Sequence, residues 1–190
     1  MSESKTTAIL SEMQEGLTGF IGQINSDHAY IHDGIGYEAI INTGSISAAY
    51  DIAFTTPAIE DGVIHWRPAD IYTSSNFVTF ELYEGDSYSS GSSVTPVNKN
   101  RIIKDNSNFN SKITTMVKGA TATPTGTLIQ HFGIGSTGNP ASRSGGGAAS
   151  AEEIVLAPST DYVITLTPAG ATLVLLTLFW YEESKGFDEK

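Results

Sequence analysis

The sequence predicts an all-β protein, an antiparallel β-sandwich of jelly-roll-like form that carries a short N-terminal arm. Three observations predict it. From residue 36 onward apolar and polar residues alternate with a period of two, as strands with one wet face require. The separators between the alternating runs, among them "NTGS", "TPAIEDG", "EGDS", "ATPTG" and "APSTD", are built from Gly, Pro, Asn and Asp, whose backbone preferences suit turns. No helical pattern lies between the runs, which disfavours a parallel α/β sheet and leaves a Greek-key sandwich.

Taken in order, "GYEAIIN" (36 to 42) is the first strand. "AAYDIAF" puts Tyr50, Ile52 and Phe54 on one face and Asp51 on the other. "VIHWR" (63 to 67) follows, then "FVTFELYE", where Val78, Phe80 and Leu82 oppose Thr79 and Glu81. "KITTMV" aligns Ile113, Thr115 and Val117; "TLIQHF" (127 to 132) and "EEIVL" (152 to 156) are further strands. "YVITLT" aligns Tyr162, Ile164 and Leu166. The last run, "ATLVLLTLFWY" (171 to 181), is far shorter than the roughly 20 residues a membrane-spanning helix needs, so it reads as a buried strand. About nine short strands are expected.

A chain of 190 residues fits one domain and can remove roughly 70% of its surface from water without a metal or disulfide. Cysteine is absent, which excludes thiol catalysis, Cys-ligated zinc and a disulfide framework, and suits a reducing cytoplasm. With 21 acidic against 10 basic residues, the formal charge of −11 repels phosphate backbones and disfavours nucleic acid as a partner. The start "MSESKTTAIL" has no sustained apolar run, so neither a signal peptide nor a membrane partner is expected.

Two segments stand apart. Residues 1–35 form an arm and strand lead-in before the sandwich of 36–190. In the arm Ile9, Leu10, Met13, Leu17, Phe20 and Ile24 follow a helical period, but Gly16, Gly19 and Gly22 would each cost a helix about 1 kcal/mol. It is either a partly ordered terminus or an arm that orders on a neighbouring subunit. Residues 133–151, "GIGSTGNPASRSGGGAASA", are too polar and Gly-rich to pack and read as a long loop, a binding loop or a mobile tip, with Arg143 as its one cation.

Constellations for catalysis are weak. "GIGSTG" matches a dinucleotide-binding spacing, but Pro140 and Gly145–Gly147 follow where a helix would have to begin. "DHAYIHD" spaces His28 and His32 as two zinc ligands on a helix would be; without the glutamate of the metalloprotease motif it reads as the lead-in to a strand. His65 and His131 lie in strands with no carboxylate partner evident in sequence. Glu81, Glu84 and Asp86 could serve glycoside hydrolysis or calcium binding, yet "EGD" reads as a solvated turn. No enzyme activity and no cofactor is expected.

"TPVNKNR" (95 to 101) is a polar corner after the Ser/Gly linker "SYSSGSS". Asn98 and Asn100 can accept the amides two residues on and stiffen it, so that Lys99 and Arg101 project. In so acidic a protein those cations suit a partner's carboxylates better than DNA; an ordinary exposed turn is the alternative.

The stretch "FELYEGDSYSSGSSVTPVNKNR", the lead-in "IHDGIGYEA" and the finish "LAPSTDYVITLTPAGATLVLLTLFWYEE" resemble, in order and spacing over residues 31 to 183, a family of tailed-bacteriophage head proteins. That family tends toward Asn-Arg-Asn-Arg at the corner; Lys99 here cannot make an arginine's bidentate contact. The resemblance implies a capsid decoration (cement) protein, a homodimer or homotrimer on the exterior of the virion. Made in the host bacterial cytoplasm, it would clamp neighbouring major capsid protein subunits. Interface residues would come from the corner (Asn98, Lys99, Asn100, Arg101), from Arg143, and from Ile9, Leu10, Met13, Leu17 and Phe20. The alternative is a head fibre, spike or tail receptor-binding domain that recognises host-surface glycans.

Overall fold

A computed structural model describes residues 26–103, 107–135, 144–147 and 153–183; Arg143 and the arm residues Ile9, Leu10, Met13, Leu17 and Phe20 lie outside them. Among the described residues one short helix, α1 (Ser26–His32), leads into thirteen strands. They are β1 (Gly36–Ile46), β2 (Tyr50–Thr55), β3 (Val63–Thr73), β4 (Val78–Glu84), β5 (Tyr88–Ser89), β6 (Ser92–Ser93) and β7 (Val97–Asn98). After a 3-10 turn at Ser107–Phe109 come β8 (Thr115–Ala122), β9 (Thr127–Ile134), β10 (Ser144–Gly147), β11 (Ile154–Val155), β12 (Asp161–Pro168) and β13 (Thr172–Glu183). No helix among the described residues is long and apolar enough to cross a membrane.

All strand pairs are antiparallel and make two facing sheets. The first has the order β10-β3-β13-β1-β7 with β11 beside β3; the second has β5-β8-β2-β12-β4-β9 with β6 beside β8. Number only β1, β2, β3, β4, β9, β10, β12 and β13 from one to eight. The sheets then read 1-8-3-6 and 2-7-4-5. That interleaving is the double Greek key of a jelly roll, as the alternation led us to expect.

The core lies between the sheets. Ile64, Trp66, Ile71, Val174, Leu176 and Trp180 face Ile52, Phe54, Phe80, Leu82, Ile164 and Leu166, all buried. An aromatic file crosses it: Trp180 to Trp66 at 6.3 Å, Trp66 to Phe54 at 5.1 Å and Phe54 to Tyr162 at 5.4 Å, each pair stacked. Offset stacks of this kind hold more than their buried area alone would give.

Several expectations need correction. The Gly-rich loop of 133–151 is not wholly a loop: β9 runs to Ile134, and Ser144–Gly147 pairs with β3 from Thr73 to Asp70. That strand is held by main-chain hydrogen bonds, which glycines make as well as any residue. The Ser/Gly linker likewise forms β5 and β6 along β8. Ile113 is buried as expected, but Met116 rather than Val117 turns inward, because β8 begins only at Thr115 and bulges where Gly119 takes φ +63°. β3 continues six residues past Arg67; Pro68, which has no N–H to give, falls in a bulge opposite Thr177–Phe179. β12 is buried on both faces, since Val163 and Thr165 are flanked in register by Ala53 and Tyr83 and by Asp51 and Glu81.

"DHAYIHD" is helical where a strand lead-in was expected. Its end is a Schellman motif: Gly34 takes φ +77° and donates to Ile31, while Ile35 donates to Tyr30. A Cβ at Gly34 would overlap the side chains of Ile103 and Phe109. Gly34→Ala should therefore cost about 1–2 kcal/mol from the backbone conformation and the displaced neighbours together. Equilibrium urea unfolding checks this.

Candidate adhesion surface

The corner at 97–102 is built by its asparagines. Val97 and Asn98 pair with Glu38 and Tyr37 of β1, which fixes the corner to the edge of the first sheet. Asn98 Oδ1 accepts the Asn100 amide at 2.8 Å and Asn100 Oδ1 accepts the Ile102 amide at 3.1 Å, the local bonding expected of them. Their amide nitrogens reach further. Asn98 Nδ2 donates to the carbonyls of Gly34 (2.7 Å) and Phe109 (3.0 Å), and Asn100 Nδ2 to that of His32 (3.1 Å). Asn98 is buried, so it acts as an internal brace rather than a contact residue.

Lys99 does not project, contrary to expectation. Its ammonium lies 4.6 Å from the centre of the Phe179 ring, an attraction between cation and ring face that folds the side chain over the sheet. Arg101 is exposed, and its Nη1 donates to the Asn98 carbonyl at 3.4 Å. At the tip Ile102 is 94% exposed.

The two sheets differ in what they show to water. Val97, Ile40, Leu173, Tyr72 and Val155 are all exposed on the outer face of the first sheet, with half-buried Phe179 and Leu175 between them. Ile40 is 63% exposed. The outer face of the second sheet carries Asp51, Thr79, Glu81 and Thr165. Among the described large apolar residues that are exposed, only Leu128 lies there, on edge strand β9 beside Tyr83. On the first sheet Asn42, Thr177 and Asp70 stand among the apolar residues in register, and apolar exposure gathered in this way on one face marks a surface that meets something.

One end of that face is closed by a polar and aromatic cluster. Tyr30 of α1 stacks on Tyr181 at 3.9 Å, and Tyr181 stacks on His65 at 4.3 Å. The Tyr181 hydroxyl donates to Glu153 Oε2 (2.7 Å), and His65 Nδ1 meets Glu153 Oε1 (2.7 Å). Arg67 lies 3.5 Å from Glu153, and Glu183 lies 3.4 Å from His65 Nε2. His65 thus has carboxylate partners, as does His131 with Glu81 at 3.4 Å. Sequence inspection missed both, because Glu153 lies 88 positions away, just before β11, and Glu81 is brought to His131 only by the β4–β9 register.

Burial pushes the Glu153 carboxyl up, but hydrogen bonds from Tyr181 and His65 and the charges of His65 and Arg67 outweigh it and hold it below 4.5. A depressed folded value stabilises the fold above the unfolded one and is lost as pH falls through the folded one. Glu153→Gln should therefore be less stable than the parent at neutral pH, with the gap narrowing below about pH 4. Urea titrations across pH 3–7 check the trend.

The carboxylates considered for catalysis are each engaged by a different partner. Glu81 meets His131, and Glu84 accepts the Tyr162 hydroxyl at 2.8 Å. Asp86 is not a solvated turn residue: it is buried, and its Oδ1 accepts the amides of Thr125 (2.8 Å) and Gly126 (2.7 Å). Among the described residues no group of three or more His, Cys, Asp or Glu is placed to hold a metal ion. No protein-family model, no curated protein and no solved structure matches the chain.

Proposed function

We propose that this protein is a non-enzymatic adhesion module, a capsid decoration protein that binds the exterior of a tailed-phage head through the outer face of its first sheet. One observation carries the adhesive part: exposed apolar residues are gathered on one outer face and nearly missing from the other. The phage head as partner rests on the sequence resemblance over residues 31–183. Burying such a face returns about 25 cal/mol per Å² of apolar surface. Modest contacts repeated around a symmetric shell then add as avidity.

Purified protein should bind undecorated heads of its own phage stoichiometrically and raise their resistance to heat. An Ile40→Asp, Tyr72→Asp variant should keep the parent's β-sheet signal in circular dichroism and a single cooperative unfolding transition yet bind at least about tenfold more weakly, since two buried charges without partners cost well over 1.4 kcal/mol. Wild-type protein that ignores those heads would end this reading. Among the described residues the exposed Tyr72 ring favours glycan recognition, since sugars stack on aromatic rings. A glycan array run on the same pair of proteins separates the two.

A further inference from the structure

The outer face of the first sheet has a neighbour within its own chain. α1 crosses one end of it, with Tyr30 on Tyr181 of β13, while the carbonyls of His32 and Gly34 are held by Asn100 and Asn98 at the β7 edge. The helix therefore runs from β13 toward β7, and its first residue, Ser26, is the end farther from the β7 edge.

Along β13 from Tyr181 the exposed surface extends past Leu175, which sits opposite Tyr72 of β3, about 20 Å away at strand rise. Residues 9–24 would span about 24 Å as a helix, a matching length. Their apolar members Ile9, Leu10, Met13, Leu17, Phe20 and Ile24 recur at the spacing of one helix face. Gly16, Gly19 and Gly22 weaken a free helix, so such a segment gains order only by laying its stripe on an apolar surface.

We propose that residues 9–24 dock in cis on the outer face of the first sheet, their apolar stripe covering Ile40, Leu175 and Tyr72. The proposal concerns the free chain and stands whether or not a shell later competes for the same face.

The absence of cysteine makes the test clean. Leu17→Cys is paired in the full chain with Ile40→Cys or with Tyr72→Cys. As a control it is paired with Leu128→Cys, on the outer face of the second sheet. Under mild oxidation one or both of the first pairs should close within single chains at least about tenfold faster than the control, at a rate independent of protein concentration. Equal rates for all three would overturn the proposal. So would disulfides only between chains, which would assign the face to a second copy. Independently, Met13→Asp with Leu17→Asp should raise binding of the apolar dye ANS several-fold over the parent; unchanged dye binding would also overturn it.

Discussion

Asn98→Ala is expected to lower stability by about 3 kcal/mol, which for a domain of this size is a melting temperature about 6–12 °C below the parent's. The substitution removes the two bonds from Nδ2 to the Gly34 and Phe109 carbonyls and the bond that Oδ1 accepts from Asn100. A net hydrogen bond is worth about 1 kcal/mol, and the two carbonyls left behind face a site almost closed to water. Asn98→Asp keeps the acceptor for the Asn100 amide but turns a carboxylate toward the two carbonyls, and should be worse than alanine. Asn100→Ala gives up one bond to His32 and one to Ile102 at a half-buried position and should cost about 1 kcal/mol. Thermal unfolding of the three variants decides: an Asn98→Ala protein melting with the parent would show that the corner is not braced from within.

The second large effect is Phe54→Ala, expected at about 4 kcal/mol. Phe54 is fully buried between Trp66 of the facing sheet and Tyr162 of its own. Neither neighbour is free to fill the space: Trp66 is packed against Trp180 on its other side, and the Tyr162 hydroxyl is held by Glu84 and the Ala157 amide. The cavity thus stays open and its lining loses contact on both faces. Phe54→Leu fills part of it and should recover about half the loss. Denaturant unfolding of the two variants, with equal slopes, checks the figure.

What could be read from the sequence was whatever is written in side chains along one strand. Val78, Phe80 and Leu82 alternate against Thr79 and Glu81, and all three are in the core. Tyr162, Ile164 and Leu166 are buried as their spacing required. Strands that depend on main-chain pairing alone left no such trace, which is why Ser144–Gly147 and the short pieces on β8 passed for loop and linker. The inward turn of Met116 depends on where β8 starts and on its bulge, not on local alternation. At the candidate surface the amide-to-backbone bonds of Asn98 and Asn100 span two residues and were legible. The cover that Lys99 gives Phe179 and the pairing of His65 with Glu153 join residues far apart in the chain, and only the fold discloses them.

In both sheets the final strands occupy the middle. β13 lies between β1 and β3, and β12 between β2 and β4, so that Gly36 waits for Tyr181 and Thr55 for Asp161. At ribosomal speeds of about 5–20 residues per second, the earliest strands remain without their central neighbours for on the order of ten seconds. A nascent chain that halts before Asp161 has an outer rim and no centre in either layer. Maturation is then a single late event that only a polypeptide extending through Glu183 can undergo, and a prematurely terminated product is left with bare strands for quality control to remove.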